Sequence, residues 1–312
     1  MIIAVSMNPS IDKILHISRL VKGSTNRVVS SSETAGGKGI NVANVLSAFT
    51  NDLALVGFCG NSNSEIMDSC EMSLKEKGVI VDLVRINGKN RTNMKIIESG
   101  GALTEINESG FLVTPNKLYE FKEKLYKYAN AGNTYILTGS IPEGVDKHIY
   151  GELTKELKDK GCKVFVDASG DALRYATEAC PNVIKPNQEE ILELFNEKSV
   201  SEKTLINMGR ELCLKGIDTV IISRGSLGSI FVTKNETLRC EVIPVDVSSS
   251  VGAGDAMIAC FAYALAAGLS YEDCIRLSVA AASYTVTIDE SALSNRSEVD
   301  SLLDKVNMKL IH

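Results

Sequence analysis

The sequence predicts an α/β fold: a doubly wound, mostly parallel sheet flanked by helices, with a small β-sheet lid. Three observations carry that expectation. Short β-branched runs alternate with amphipathic stretches of about 10–15 residues, which implies βαβ units and a sheet covered on both faces. Small, polar and basic residues collect just beyond the strand runs, where open parallel sheets hold their ligands. Two stretches, Lys13–Ser32 and Val84–Glu108, interrupt the alternation with strand-like Val, Ile, Thr, Asn and Gly.

In chain order, β-branched and apolar composition marks strands at Ile2–Ser6, Leu53–Gly57, Thr134–Leu137, Lys163–Val166, Asn182–Ile184, Thr219–Ile222 and Ser229–Val232. Amphipathic spacing marks helices at Gly39–Phe49, Ser64–Lys77, Pro115–Asn130, Lys147–Lys160, Gln188–Phe195, Glu202–Lys215, Gly254–Ala267, Tyr271–Thr285 and Glu298–Met308. The longest apolar stretch, Ala256–Leu269, falls short of the about 20 residues that span a bilayer and reads as a buried core helix. The interrupting stretches, about 13–32 and 84–108, come from separate places in the chain. They are expected to pair as a discontinuous lid or dimer surface, leaving 1–312 as one domain.

Composition narrows the function classes. With 44% hydrophobic and 23% charged residues, the chain is neither disordered nor fibrous. The net charge of −6 argues against a surface built for nucleic-acid phosphates. The 8 cysteines are scattered without a C-x-x-C pair, which excludes a zinc ribbon or thioredoxin-type site and implies reduced, mostly buried thiols. Met1–Met7 enters an apolar strand without a basic region or cleavage site, so a cytoplasmic protein without membrane attachment is expected.

The strongest chemical signal is Ser249-Ser250-Val251-Gly252-Ala253-Gly254-Asp255 at the start of an apolar helix. The N–H groups of Gly252, Ala253 and Gly254 would form an anion hole at the positive end of the helix dipole. A carboxylate beside an anion is repelled unless it works, and Asp255 could deprotonate a hydroxyl attacking a phosphoryl group. A plain helix start would also favour an acid there.

A second glycine loop, Ala35 to Ala43, opens a helix and carries Gly37, Lys38 and Asn41. It lacks the spacing of a Walker A loop, so a polyol or a different phosphate is implied. In Asn90–Lys95, Arg91 could grip a phosphate bidentately, and Arg91, Asn93 and Lys95 are expected not all to face one side of their strand. In Lys185–Glu190, a strand-end Lys and Asn precede Glu189 and Glu190, and Glu190 could orient magnesium through water. Asn8, Asp12, Gly139, Ser140, Asp167, Asn187, Ser223 and Gly225 complete the strand ends. His16, His148 and His312 lie too far apart in sequence for a histidine metal cluster, G-x-S-x-G is absent, and Gly252-x-Gly254 lacks the third glycine of a dinucleotide fingerprint.

These segments, together with Met7-Asn8-Pro9-Ser10-Ile11-Asp12, Thr104-Glu105-Ile106-Asn107 and Gly139-Ser140-Ile141-Pro142, resemble the PfkB (ribokinase-like) carbohydrate kinases. The resemblance runs along the whole chain and points to the branch of 1-phosphofructokinases and tagatose-6-phosphate kinases. It implies Asp255 as catalytic base and Gly252, Ala253 and Gly254 as the γ-phosphate hole. It implies Asp12, Gly37, Lys38, Asn41 and Asn93 around the sugar, with Arg91, Ser140 and Arg27 near its phosphate. Lys185, Asn187, Ser223, Gly225 and Gly228 resemble ATP-site positions, and Asn187 with Glu190 matches an N-x-x-E element tied to Mg2+. A homodimer through the lid is implied as well.

Three places depart from the family pattern: Ser249-Ser250 where Asp or Asn then Thr is usual, Arg224 where Leu is common, and Asn61 where a second glycine often follows Gly-Phe-x-Gly. The expected activity is ATP-dependent phosphorylation of fructose 1-phosphate. Tagatose 6-phosphate and fructose 6-phosphate are the alternatives within the class, and a catalytically silent sugar-phosphate sensor is the alternative outside it.

Overall fold

The β-branched runs form strands, and chain order gives β1 (Ile2–Ser6), β2 (Ser10–Ile17), β3 (Val28–Gly36), β4 (Leu53–Gly60), β5 (Ile80–Ile86), β6 (Arg91–Glu98), β7 (Leu103–Asn107), β8 (Thr134–Thr138), β9 (Lys163–Asp167), β10 (Val183–Ile184), β11 (Thr219–Ser223), β12 (Ser229–Val232), β13 (Thr237–Cys240) and β14 (Met308–Leu310). The computed structural model describes residues 1–249, 251–288 and 295–311; Ser250 and His312, both singled out above, lie outside them.

Ten strands make one sheet in the order β14-β13-β12-β11-β10-β9-β8-β1-β4-β5. It is parallel from β5 to β11 and antiparallel from β11 to β14. The chain begins at β1, winds outward through β4 and β5, then returns to β8 and winds the other way. That reversal opens a crevice at the carboxyl ends of β1 and β8.

Both faces are covered, and the two-residue period shows it: Ile2 and Ala4 join one apolar cluster, Ile3 and Val5 the other. The first cluster includes the helices Lys38–Leu46, Ala253–Ala266 and Tyr271–Thr285. Ala253–Ala266 is buried along most of its length, which is why its composition is apolar all round. Six of the eight cysteines are buried and all eight are free thiols.

A second sheet has the order β3-β2-β6-β7, with β2 and β6 parallel and the outer pairs antiparallel. Its limits differ from the sequence expectation. β2 starts before Lys13 and β3 runs past Ser32, while Val84–Ile86 belongs to β5 at the edge of the large sheet. Val84 and Ile86 are buried there against the second core cluster, so burial draws them away from the small sheet.

The expected helix Glu298–Met308 is also corrected. A short helix, Arg296–Asp300, is capped by Asn295 Oδ1 accepting from Ser297 N at 3.1 Å. A 3-10 turn at Leu303–Lys305 follows, and Met308–Leu310 then pairs with β13 as Leu238↔Leu310. Sheet hydrogen bonds to β13 override the helical spacing of this segment.

Candidate active site

The crevice is built around a helix start. Gly252, in the left-handed region at φ 80°, caps Ala253–Ala266 and turns the chain inward. The first-turn amides of an α-helix have no carbonyl four residues back, so those after Gly252 are available to an anion. Asp255 sits in this turn, 6% exposed, and Asn41 Nδ2 donates to its Oδ2 at 2.8 Å. Burial pushes the Asp255 carboxyl up to about 6, against the pull of Lys38 and of the Asn41 hydrogen bond. A carboxylate with that pKa is suited to accept a proton near neutrality.

Asn41 and Lys38 come from the helix that opens the second glycine loop, capped by Gly37 at φ 95°. Lys38 Nζ lies 2.8 Å from Asp167 Oδ1, and Lys185 Nζ lies 3.3 Å from Asp167 Oδ2. Asp167, at the end of β9, is 1% exposed. Burial alone would raise its pKa, yet the two ammonium groups hold its carboxyl below the usual range. Burial likewise opposes the charge on Lys38, but Asp167 and Asp255 outweigh it and raise the lysine's pKa. A side chain at Gly254 would stand 3.0 Å from Lys185 Nζ, so the absence of a Cβ there lets that lysine lie against the helix start. Lys38, Asn41, Lys185, Gly254 and Asp255 are thus drawn together, with Asp167 as the hub that sequence reasoning noted only as a strand end.

The small sheet supplies a second group. Asp12, 6% exposed, accepts at Oδ1 from Ser10 Oγ at 2.7 Å and from Asn93 Nδ2 at 3.2 Å, and meets Lys95 Nζ at 2.8 Å through Oδ2. Gly36 faces it so closely that a Cβ would lie 2.5 Å from the Asp12 carboxyl carbon. Arg91 Nε donates to Asn8 O at 3.1 Å, and burial lowers the arginine's pKa, partly offset by Asp12. Arg91, Asn93 and Lys95 therefore lie on one face of β6, contrary to the expectation; residues two apart on a strand share a side. Asn93 and Lys95 are engaged by Asp12, which leaves Arg91 as the cation that β6 presents to the cavity; Lys147, which also lines it, pairs with Asp171 at 3.2 Å.

That cavity, about 680 Å³, is lined by Asn8, Arg91, Gly139 and Ser140 among others. Asn8 Nδ2 donates to Ser140 Oγ at 3.1 Å. Arg27 stands exposed just before β3, and no described contact joins it to these residues.

Toward the other end of the crevice, Asn187 caps Gln188–Leu194 in a reciprocal capping box. Its Oδ1 accepts from Glu190 N at 2.8 Å, and Glu190 Oε2 accepts from Asn187 N at 2.7 Å. Ser223 N donates to Pro186 O at 3.0 Å, which ties the two turns together. Gly225–Leu227 is a 3-10 turn closed by Gly228 at φ 81°, where a Cβ would lie 2.1 Å from Cys240 O. Arg224 turns away to Glu202, with Nη1 to Oε2 at 2.6 Å. Ser249 Oγ accepts from Val251 N at 3.2 Å, bracing the entry to the helix. Among the described residues no three His, Cys, Asp or Glu side chains form a metal cage. Glu190 keeps one carboxylate oxygen outside the capping box, and an oxygen donor of this kind fits a hydrated Mg2+ shared with nucleotide phosphates.

Comparison with known proteins places this geometry. The pattern of the pfkB family carbohydrate kinases matches residues 5–297. The 1-phosphofructokinase of Borreliella burgdorferi is 34% identical over 313 residues, covering 100% of this chain and 99% of the relative. That of Bacillus subtilis is 30% identical over 308 residues, covering 99% of each. The crystal structure of Escherichia coli phosphofructokinase-2 in complex with substrates and products superposes with a TM-score of 0.89 at 23% identity, over 97% of this chain and 98% of that one, a likeness of fold. With a buried carboxylate at a glycine-capped helix and a family match over nearly all its length, the chain belongs to the pfkB family of carbohydrate kinases, phosphotransferases with an alcohol acceptor.

Proposed function

We propose that the protein transfers the γ-phosphoryl group of ATP to fructose 1-phosphate, giving fructose 1,6-bisphosphate and ADP. The observation that carries this reading is the full-length identity to proteins named 1-phosphofructokinase. The site geometry supports it. Asp255 takes the proton of the attacking hydroxyl, whose oxygen bonds to the γ-phosphorus as the bond to the β,γ-bridging oxygen breaks. The amides of Gly252, Ala253 and Gly254, with Lys185, meet the charge that develops on the transferred group. Asp12, Gly37, Lys38, Asn41 and Asn93 surround the sugar, and Arg91 and Ser140 hold its existing phosphate.

Asn187, Ser223, Gly225 and Gly228 form the turn cluster that receives ATP. Mg2+, held near Asn187 and Glu190 through water, would neutralise phosphate charge when bound. The small sheet serves as a lid that excludes water. Its exposed apolar residues, Val29 at 73% and Ile106 at 50%, support a homodimer formed through that sheet. Arg27 joins the phosphate site in this reading only if the lid moves or a second copy supplies it. The cytoplasm is the proposed compartment.

The test is initial ADP release with Mg-ATP and matched concentrations of fructose 1-phosphate, tagatose 6-phosphate and fructose 6-phosphate, compared as kcat/KM. Preference for fructose 1-phosphate is expected. Preference for either other sugar would move the substrate and keep the chemistry, and no release with any would favour a sensor.

A further inference from the structure

We propose that Asn8 is a positioning residue that sets the hydrogen-bond directions of Ser140 and Arg91 at the phosphate end of the sugar site. This rests on the function proposed above. Asn8 lies in the turn between β1 and β2, where the chain passes from the large sheet to the small one, and is 7% exposed. Its Nδ2 donates to Ser109 O at 3.1 Å and to Ser140 Oγ at 3.1 Å. Its main-chain oxygen accepts from Arg91 Nε at 3.1 Å. One residue therefore ties together the turn after β7, the turn after β8 and the first residue of β6.

The chemistry of those bonds gives them a purpose. A serine hydroxyl that accepts from an amide N–H keeps its own hydrogen to donate elsewhere. Ser140 is thereby set as a donor to an anionic oxygen in the cavity it lines with Asn8 and Arg91. With Nε of Arg91 held by Asn8 O, the two terminal nitrogens remain for a bidentate grip on phosphate. None of the described ion pairs gives Arg91 a carboxylate partner, so its charge awaits a ligand. The lack of a side chain at Gly110 leaves room for the other side of the Asn8 amide: a Cβ there would stand 2.5 Å from Oδ1, a buried oxygen without a hydrogen-bond partner. The amide's orientation is set by the two bonds of Nδ2, to Ser109 O and Ser140 Oγ.

The decisive variant is Asn8→Asp, which keeps the shape and replaces the donor by an acceptor. Ser140 would then donate to residue 8 and lose its hydrogen for phosphate. The expected result is a KM for fructose 1-phosphate raised by about tenfold or more, the order of one lost hydrogen bond to a charged group. The KM for ATP and the kcat at saturating sugar should stay within about threefold. Gly110→Ala, whose Cβ would press on Asn8 Oδ1, should raise the sugar KM in the same selective way. Asn8→Ala should cost less in a Ser140→Ala background than in the wild type, because the two act as a unit.

An unchanged sugar KM in Asn8→Asp overturns the proposal. So does a rise in both KM values with a lowered Tm and additive losses in the cycle, the pattern of a merely structural residue. If the wild type prefers tagatose 6-phosphate, the substrate assignment fails while the same variants, measured with that sugar, still decide the role of Asn8.

Discussion

Asn41 donates to the Oδ2 of Asp255 at 2.8 Å, so the second glycine loop holds the carboxylate at the start of a helix 214 residues away in sequence. The bond engages one oxygen of Asp255 and, in the proposed reaction, leaves the other for a substrate hydroxyl. Its cost and benefit can be separated by experiment.

Asp255→Asn is expected to lower kcat by about 10²–10⁴, the usual range for a lost general base. The same change should stabilise the fold. Burial raises this carboxyl to about 6, so its favourable contribution is complete below the unfolded pKa and is lost as pH rises through about 6. Thermal melts at pH 7.5 should therefore show the variant above wild type by about 2 °C. A variant that is both active and less stable would contradict the assignment.

The pH profile of kcat/KM in the wild type should fall below an apparent pKa of about 6, because the role proposed for Asp255 needs it ionised. Asn41→Ala removes a bond to that ionised form and should move the acid limb upward by about one unit. The loss of rate will accordingly be larger at pH 6 than at pH 8.5, and a profile that drops equally at both would refute the coupling.

Asp167→Asn leaves Lys38 and Lys185 without their shared counter-charge. Removing one side of such a buried cluster costs about 3–5 kcal/mol, measurable by urea unfolding at pH 7. In the wild type the depressed carboxyl contributes stability above the unfolded value of about 3.9, and that contribution disappears as pH falls through the lower folded value. The variant's deficit should therefore shrink in strong acid.

Gly36→Ala would place a Cβ 2.5 Å from the carboxyl carbon of Asp12. The expected outcome is a higher KM for the sugar with the KM for ATP unchanged, since Asp12 and the nucleotide turns belong to different elements. Equal changes in both constants would point to general unfolding instead.

Val29→Glu together with Ile106→Lys places charge on two exposed apolar positions of the small sheet. Light scattering should find a homodimer in the wild type and a monomer in the variant. Identical masses would remove the small sheet from consideration as the dimer surface.

Much of this was legible in the residues. The strands β1, β4, β8, β9, β11 and β12 follow β-branched runs buried on both faces, and both glycine loops open helices. β14 was not legible, because Met308–Leu310 becomes a strand only through β13, which is far away in sequence. Asp12 and Asp255 stood out through their neighbours in the chain. Asp167 did not stand out as a site residue: one of its partners, Lys38, is 129 residues distant, and a strand-end acid alone gives no hint of two lysines. The shared face of Arg91, Asn93 and Lys95 was present in their spacing and was misread.

All the described hydrogen bonds of the Asp12 side chain stay within the small sheet, to Ser10, Asn93 and Lys95, whereas Asp255 is bonded to Asn41 beside the large one. In the proposed reaction a sugar gripped by Asp12 thus rides on one sheet while its proton acceptor is fixed beside the other. The joints between them are short: residues 7–9, Gly37, 87–90 and 108–114. In the proposed reaction the distance from hydroxyl to base is accordingly set by how the two sheets sit against each other, and not by the bonds of either carboxylate alone.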